Sequence, residues 1–141
     1  MELVEITDKL DRRLFTLLMK KYHGQGYRPG LAPGTRLFVG VVEGYWVCGA
    51  YLHLAGQFYP IFMKARVSIN NSYFLRRIAK FAPGDYLLEF MDLLFDKLKS
   101  EGKEAIVTLG LERHSNALYK KAGFKQVGIA NGKPIFVKYL R

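Results

Sequence analysis

The sequence predicts an α/β (α+β) fold: a mixed, mostly antiparallel sheet of about seven strands with a central parallel pair and helices on both faces. Three observations predict it. Two β-rich runs, Arg36–Val42 and Tyr45–Leu54, flank Glu43-Gly44 as the arms of a hairpin. A long amphipathic run, Tyr86–Glu101, joins the strand-like runs Tyr73–Phe81 and Ala105–Leu109. A strand–helix–strand crossover of this kind is right-handed and leaves its two strands parallel. Near the end, Phe124–Ile129 and Pro134–Leu140 flank Ala130-Asn131-Gly132-Lys133. Asn-Gly at that point signals a type I′ hairpin.

The elements follow in order. Leu3–Ile6 alternates like a short strand. Thr7 or Asp8 can then cap a helix, in which Leu10, Leu14, Leu17 and Leu18 recur at helical spacing and are expected to face the core. Gly24 and Gly26 stop this helix, and Tyr27–Thr35, with its prolines and glycines, reads as a loop. After the first hairpin, Phe58–Ser68 is expected to be a strand with Pro60 near its start, where a missing N–H is tolerated. Ala82-Pro83-Gly84 breaks the strand Tyr73–Phe81. Asp85 is expected to cap the next helix, which buries Leu87, Met91, Leu94, Phe95 and Leu98 and ends at Gly102. Ser115–Ala122 is a short helix closed by Gly123. The expected order is β-α-β-β-β-β-α-β-α-β-β.

The chain has 141 residues, which fits one domain spanning 1–141. Half of its residues are hydrophobic and 24% are charged, a globular composition. No apolar run approaches the ~18 residues of a membrane span, and Met1–Asp11 lacks the apolar core of a signal peptide. A cytoplasmic protein without a membrane partner is therefore expected. The net charge is +10, from 22 Lys and Arg against 12 Asp and Glu. It attracts anions: phosphates of a cofactor, nucleic acid or acidic proteins. Arg76, Arg77 and Lys80 alternate poorly for a single strand face and do not read as a groove binder. Cys48, the one cysteine, lies in an apolar run and reads as a buried, inert thiol. No His or Cys spacing suits a protein-built metal site.

Two stretches can carry chemistry. Phe81-Ala82-Pro83-Gly84-Asp85-Tyr86 lies between the carboxyl end of a strand and the start of a helix. Unpaired N–H groups and the helix dipole make such a turn an anion site, and Gly84 lets a ligand approach the backbone. The second is Ser115-Asn116-Ala117-Leu118-Tyr119-Lys120-Lys121-Ala122-Gly123-Phe124. Packing accounts for Leu118, Gly123 and Phe124, which leaves Tyr119 for function.

This second stretch resembles the closing motif of the GCN5-related N-acetyltransferases, and the element order is similar to that family along nearly the whole chain. The resemblance implies acetyl transfer from acetyl-CoA, as co-substrate, to a primary amine of a protein, a peptide or a tRNA-linked group. The family's pyrophosphate loop falls on Ala79–Gly84, with Ala82 where a glycine is usual and Ala79 where Gln or Arg is usual. The resemblance implies cofactor contacts from Ile78, Ala79, Lys80, Ala82, Gly84, Asp85, Tyr86 and Ser115. It sets Ile78–Lys80 along the pantetheine arm, splayed from Ala105–Leu109. Tyr119 becomes the general acid for the leaving thiolate. The family's common Asn falls on Glu112, a candidate general base beside His114, Glu43 and His23. Tyr22, His23 and Tyr27 are the expected substrate contacts.

Two other readings share the fold. Lys21-Tyr22-His23, Pro29, Phe38-Val39-Gly40-Val41, Gly49 and Leu75-Arg76-Arg77 loosely resemble the Mom DNA-modification family, which implies chemistry on a nucleic-acid base. Alternatively, a domain that has lost CoA binds nucleic acid or a partner chain, or forms a homodimer through its aromatic strands.

Overall fold

A computed structural model describes residues 1–23, 34–110 and 116–141 of the chain. Strand β1 (Glu2–Ile6) leads into helix α1 (Lys9–Tyr22), then into the hairpin β2 (Arg36–Val42) and β3 (Tyr45–His53). Helix α2 (Tyr59–Ala65), strand β4 (Ser72–Lys80), helix α3 (Leu87–Ser100) and strand β5 (Ala105–Leu109) follow. Helix α4 (Ala117–Lys121) and the hairpin β6 (Lys125–Ala130) and β7 (Lys133–Tyr139) close the fold. The strands form one seven-stranded sheet in the order β1-β2-β3-β4-β5-β7-β6. Only β4 and β5 are parallel among its pairs.

Both hairpin turns are as the sequence predicts. Glu43 and Gly44, then Asn131 and Gly132, have φ of 51° and 83°, and 51° and 80°. A two-residue turn with both φ values positive matches the right-handed twist of its strands.

Side chains alternate across the sheet and sort into two faces. Phe38, Leu52, Tyr73, Leu75, Ile106 and Phe136 pack with Phe90, Met91, Leu94 and Leu98 of α3 and with Leu118 and Tyr119 of α4. On the opposite face, Leu37, Val39, Tyr51 and Ala79 pack with Phe15 and Met19 of α1. Phe74, Ala105, Val107, Ile135 and Val137 pack there with Phe62 and Ala65 of α2. Gly49 lets α1 come close: a Cβ at that position would lie 2.9 Å from the rings of both Phe15 and Phe81.

Three expectations are corrected. The segment from Phe58 is not a strand. Gly56–Phe58 forms a turn of 3₁₀ helix and Tyr59–Ala65 is α2. Pro60 stands in the first helical turn, where an N–H has no intrahelical partner to lose. Helix α1 keeps its expected Asp8 cap, whose carboxylate accepts from the amides of Leu10 and Asp11, but presents a different face. Phe15 and Met19 are buried, while Leu10, Leu14 and Leu17 are 71%, 45% and 61% exposed. The aromatic ring and the thioether fill the space that Gly49 opens, and the leucines fall on the outer side. Asp85 does not cap α3, as the site geometry explains below.

Arg36 ties three elements together. Its guanidinium donates to both carboxylate oxygens of Glu5 (2.7 and 2.9 Å) and of Glu101 (2.6 and 2.9 Å). These bonds raise the Arg36 pKa above its ordinary range and lower that of Glu101. Paired, bidentate bonds of this kind are stronger than neutral ones and fix geometry.

Candidate functional site

The site begins where a ladder stops. Strands β4 and β5 pair only through Ser72↔Ala105, Tyr73↔Ile106 and Phe74↔Val107. Both strands continue, β4 to Lys80 and β5 to Leu109. The far edge of β4 stays bonded to β3 as far as Cys48↔Lys80, and β5 stays bonded to β7 as far as Leu109↔Ile135. The two parallel strands therefore part beyond Phe74 while each keeps its outer neighbour. Thr108, 2% exposed, marks the apex: its hydroxyl donates to the Leu75 carbonyl at 2.9 Å.

At the open end the chain turns. The Phe81 N–H donates to the Val47 carbonyl at 2.8 Å, which carries β4's pairing one residue further. The backbone then bends through Ala82–Asp85 into α3. Gly84 has φ +137°, and a Cβ there would sit 2.5 Å from the ring of Tyr86. That conformation and that contact both require glycine. Lys80 Nζ donates to the Gly84 carbonyl at 3.2 Å and braces the bend. Helix α3 starts at Leu87 with Tyr86 as its N-cap, and no side chain accepts its first amides. Asp85 thus lies one residue too early to cap and is exposed. Among the described residues, the amides of Leu87, Leu88 and Glu89 meet no acceptor. A helix start with free amides favours an anion.

Tyr119 reaches the apex from α4. Its ring packs on Phe124 and Phe136, with centroids 5.5 and 5.6 Å away. Its hydroxyl lies on the side of Thr108, which acts on its titration. Burial raises its pKa above the ordinary 10, against smaller opposing effects of Thr108 and Arg77. Tyr119 is therefore protonated at neutral pH and able to donate.

The opposite face of the same opening is cationic and aromatic. The β3–β4 register slips between Tyr51 and Leu52: Tyr51 pairs with Arg77 and Leu52 with Leu75, which leaves Arg76 as the extra residue of a bulge. The Arg76 guanidinium lies 5.5 Å from the centroid of Phe58, which stacks on Phe74 at 3.8 Å, and its charge acts on Tyr51 against the effect of burial. Arg77, directly across from Tyr51, is on the face of Tyr51, and Arg76, over Phe58, is on the same side of the sheet. The two arginines thus share one face, contrary to the expectation from strict strand alternation. His53 Nδ1 meets the Thr35 hydroxyl at 3.1 Å, and its ring lies between Tyr51 and Phe58.

The expected substrate residues Tyr22 and His23 stand at the end of α1. The Tyr22 ring is 6.1 Å from Phe81. His23 closes α1 through its N–H to the Met19 carbonyl, and burial followed by Arg77 lowers its pKa below 6.5. It is a neutral imidazole at neutral pH, not the helix-end cation that its position alone suggests. Tyr27, Glu112, His114 and Ser115 lie outside the described residues. Cys48 is buried, which pushes its pKa up to about 12, so it is no nucleophile.

The fold brings Ile78, Ala79, Lys80, Ala82, Gly84, Asp85 and Tyr86 to one side of the opening and Tyr119 to its apex. Sequence reasoning missed Thr108, whose signal was a hydroxyl inside the apolar strand Ala105–Leu109, and the joint face of Arg76 and Arg77, whose bulge has no local signature.

No protein-family model matches the chain. The chain is 41% identical over 147 residues to "Uncharacterized protein 154" of Sulfolobus islandicus rod-shaped virus 1, covering 99% of this chain and 96% of that protein. Solved structures with a similar fold include an aminoglycoside 6′-N-acetyltransferase complexed with coenzyme A (TM-score 0.71, 13% identity, 100% of this chain and 98% of that one). The ribosomal-protein-S18-alanine N-acetyltransferase of Escherichia coli has a TM-score of 0.67 at 13% identity, covering 99% and 94%. Tetrahymena GCN5 has 0.68 at 12%, covering 100% and 97%. The expected fold class, a sheet of the GCN5-related N-acetyltransferase type, is thereby established.

Proposed function

We propose that this chain, which belongs to the family of protein 154 of Sulfolobus islandicus rod-shaped virus 1 and has the GCN5-related N-acetyltransferase fold, is an N-acetyltransferase that uses acetyl-CoA as co-substrate. One observation carries the reading. The parallel β4–β5 ladder ends at Phe74↔Val107, beside an uncapped helix start, and this leaves a strand edge and a set of amides together. The amides of the Gly84–Glu89 turn suit a diphosphate, and the inner edge of Ile78–Lys80 suits the amides of a pantetheine arm. The match to the family's loop is partial, since Ala79 and Ala82 replace its usual residues. Backbone donors, which any residue but proline supplies, carry the fit instead.

In this mechanism a neutral amine attacks the thioester carbonyl carbon. A C–N bond forms, the C–S bond breaks, and the thiolate leaves. Tyr119, protonated and held by its ring contacts with Phe124 and Phe136, donates its proton or a hydrogen bond to that sulfur. An N–H of the parted β4 edge stabilises the developing oxyanion. The amine's surplus proton goes to a neutral base or to water. His23 is the described residue best suited, because its imidazole is unprotonated near pH 7. Glu112 is the alternative base implied by the family motif. We assign the whole chain to one such domain.

A thermal-shift titration with acetyl-CoA and with free CoA tests the reading. Both are expected to raise Tm in a saturable way. Salt-sensitive binding of short DNA with no response to either thioester or thiol would favour the Mom-like or CoA-less readings instead, which the arginine-rich face of β4 makes worth testing.

A further inference from the structure

The bulge at Arg76 has a consequence for the acceptor. In a regular strand, consecutive residues point to opposite faces. Here Arg77 pairs across from Tyr51 and the Arg76 guanidinium lies 5.5 Å from the Phe58 ring, so both residues are on the α1 and α2 side of the sheet. That side is opposite Tyr119 and α3, the side from which the cofactor loop is built. Arg76 directly follows Leu75, whose carbonyl accepts from Thr108 at the apex of the opening. The cations therefore border the point where an incoming amine must arrive.

Arg76 is also held in place. The Phe58–Phe74 stack lies under its guanidinium. A planar guanidinium fixed on an aromatic face keeps donors directed outward. Several carboxylates are engaged elsewhere. Glu5 and Glu101 go to Arg36, Glu89 goes to the N-terminus, and Glu104 accepts from the Ser68 amide. Among the described residues no carboxylate is paired with Arg76. A guanidinium set on an aromatic stack at the border of the opening is a preformed partner for an oxyanion.

We propose that the acceptor carries an oxyanion, a carboxylate or a phosphate, close to its reactive amine, and that Arg76 receives this group beside Tyr51 and His53. The inference rests on the transferase reading above and narrows it. It disfavours acceptors that are purely cationic near the amine, because the Arg76 guanidinium would repel them.

Dead-end complexes test it without requiring the native acceptor. The protein is first titrated calorimetrically with CoA. The saturated complex is then titrated with two matched pairs of amines: O-phosphoethanolamine against ethanolamine, and β-alanine against β-alaninamide. Within at least one pair the oxyanion-bearing member is expected to bind about tenfold tighter, as for a charge-assisted bond. The pair with the larger ratio identifies phosphate or carboxylate. Arg76→Gln is expected to bring that ratio near unity. Arg76→Lys is expected to retain part of it. Tyr51→Phe, which removes the neighbouring hydroxyl and leaves the guanidinium charge in place, is expected to lower the ratio less than Arg76→Gln. Ratios near unity for both pairs in the unaltered protein overturn the proposal, and so does a ratio that survives Arg76→Gln. If CoA itself fails to bind in the first titration, the transferase reading falls and takes this inference with it.

Discussion

The two halves of β4 are one strand in two different situations. Its first residues, Ser72–Phe74, are bonded to β5, and Phe74 is bonded to β3 as well. Its last residues, Ile78–Lys80, are bonded to β3 alone. The first half is a structural element of the sheet. The second half offers unpaired backbone to a ligand in the interior of the sheet instead of at an outer edge. An outer edge is available to any other chain, whereas an inner edge admits only what fits between two strands. Under the transferase reading proposed above, the half-strand and the turn recognise through backbone, and side-chain identity is constrained mainly at Gly84 and at the apex.

The largest expected effect comes from the apex. Tyr119→Phe is expected to lower kcat by about 10²-fold, the lower end of general-acid contributions, with little change in the acetyl-CoA Kd. Because burial raises the Tyr119 pKa above 10, it stays protonated as pH rises through that value, and kcat of the parent enzyme is expected to show no falling limb below pH 10. Activity of the Phe variant within twofold of the parent would make Tyr119 a packing residue and remove the apex from the chemistry.

Gly84→Ala addresses the turn. The new Cβ meets the Tyr86 ring at 2.5 Å and forces a residue with φ +137° out of its conformation. Strain at such a position is about 1–3 kcal/mol, so the Kd for acetyl-CoA measured by calorimetry is expected to rise about tenfold. An unchanged Kd in a folded variant would mean the phosphates are held elsewhere. Thr108→Val has a smaller reach. It keeps the shape and deletes the bond to the Leu75 carbonyl. A buried acceptor left unpaired costs about 1–3 kcal/mol, read as a lower urea midpoint at constant m. No change in midpoint would indicate that water already serves that carbonyl and that the parting strands need no latch.

Much of the fold is legible in the sequence because period and punctuation agree. Asn131-Gly132 and Glu43-Gly44 announce their turns, and α3 buries Met91, Leu94, Phe95 and Leu98 as its spacing predicts. The crossover from β4 to β5 follows from a helix between two strands, and the opening follows from the family resemblance at Leu118, Tyr119, Gly123 and Phe124. The failures have a common physical cause, which is that a neighbour distant in sequence decided the outcome. Phe58–Ser68 has strand-like composition, but its Phe62 and Ala65 are recruited as a helix face against Ile135 and Val137 of β7. The bulge at Arg76 is set by register against β3 and cannot be read from β4 alone. Asp85 misses its capping position by one residue, because the bend at Gly84 delays the helix.

Helix α1 is the sharpest such case, and it yields the smallest expected effect. Leucine spacing identifies Leu10, Leu14 and Leu17 as a core stripe, yet all three are exposed while Phe15 and Met19 are buried. Phe15 is selected by the cavity over Gly49, where it meets Phe81 edge-on at 6.2 Å. If this placement holds in solution, replacing Leu10, Leu14 and Leu17 together by Ser should shift stability by no more than about 0.5 kcal/mol per site, the usual range for surface changes. The contrast is Leu94→Ala on α3, buried to 1% exposure, for which a loss of about 2–5 kcal/mol is expected. Chemical denaturation of both variants compares them directly. A triple-Ser loss that matches Leu94→Ala would mean that the leucine stripe is covered in solution. The two faces of α1 would then both be interior, and the face opposite the cofactor loop would be thicker than one layer of helix.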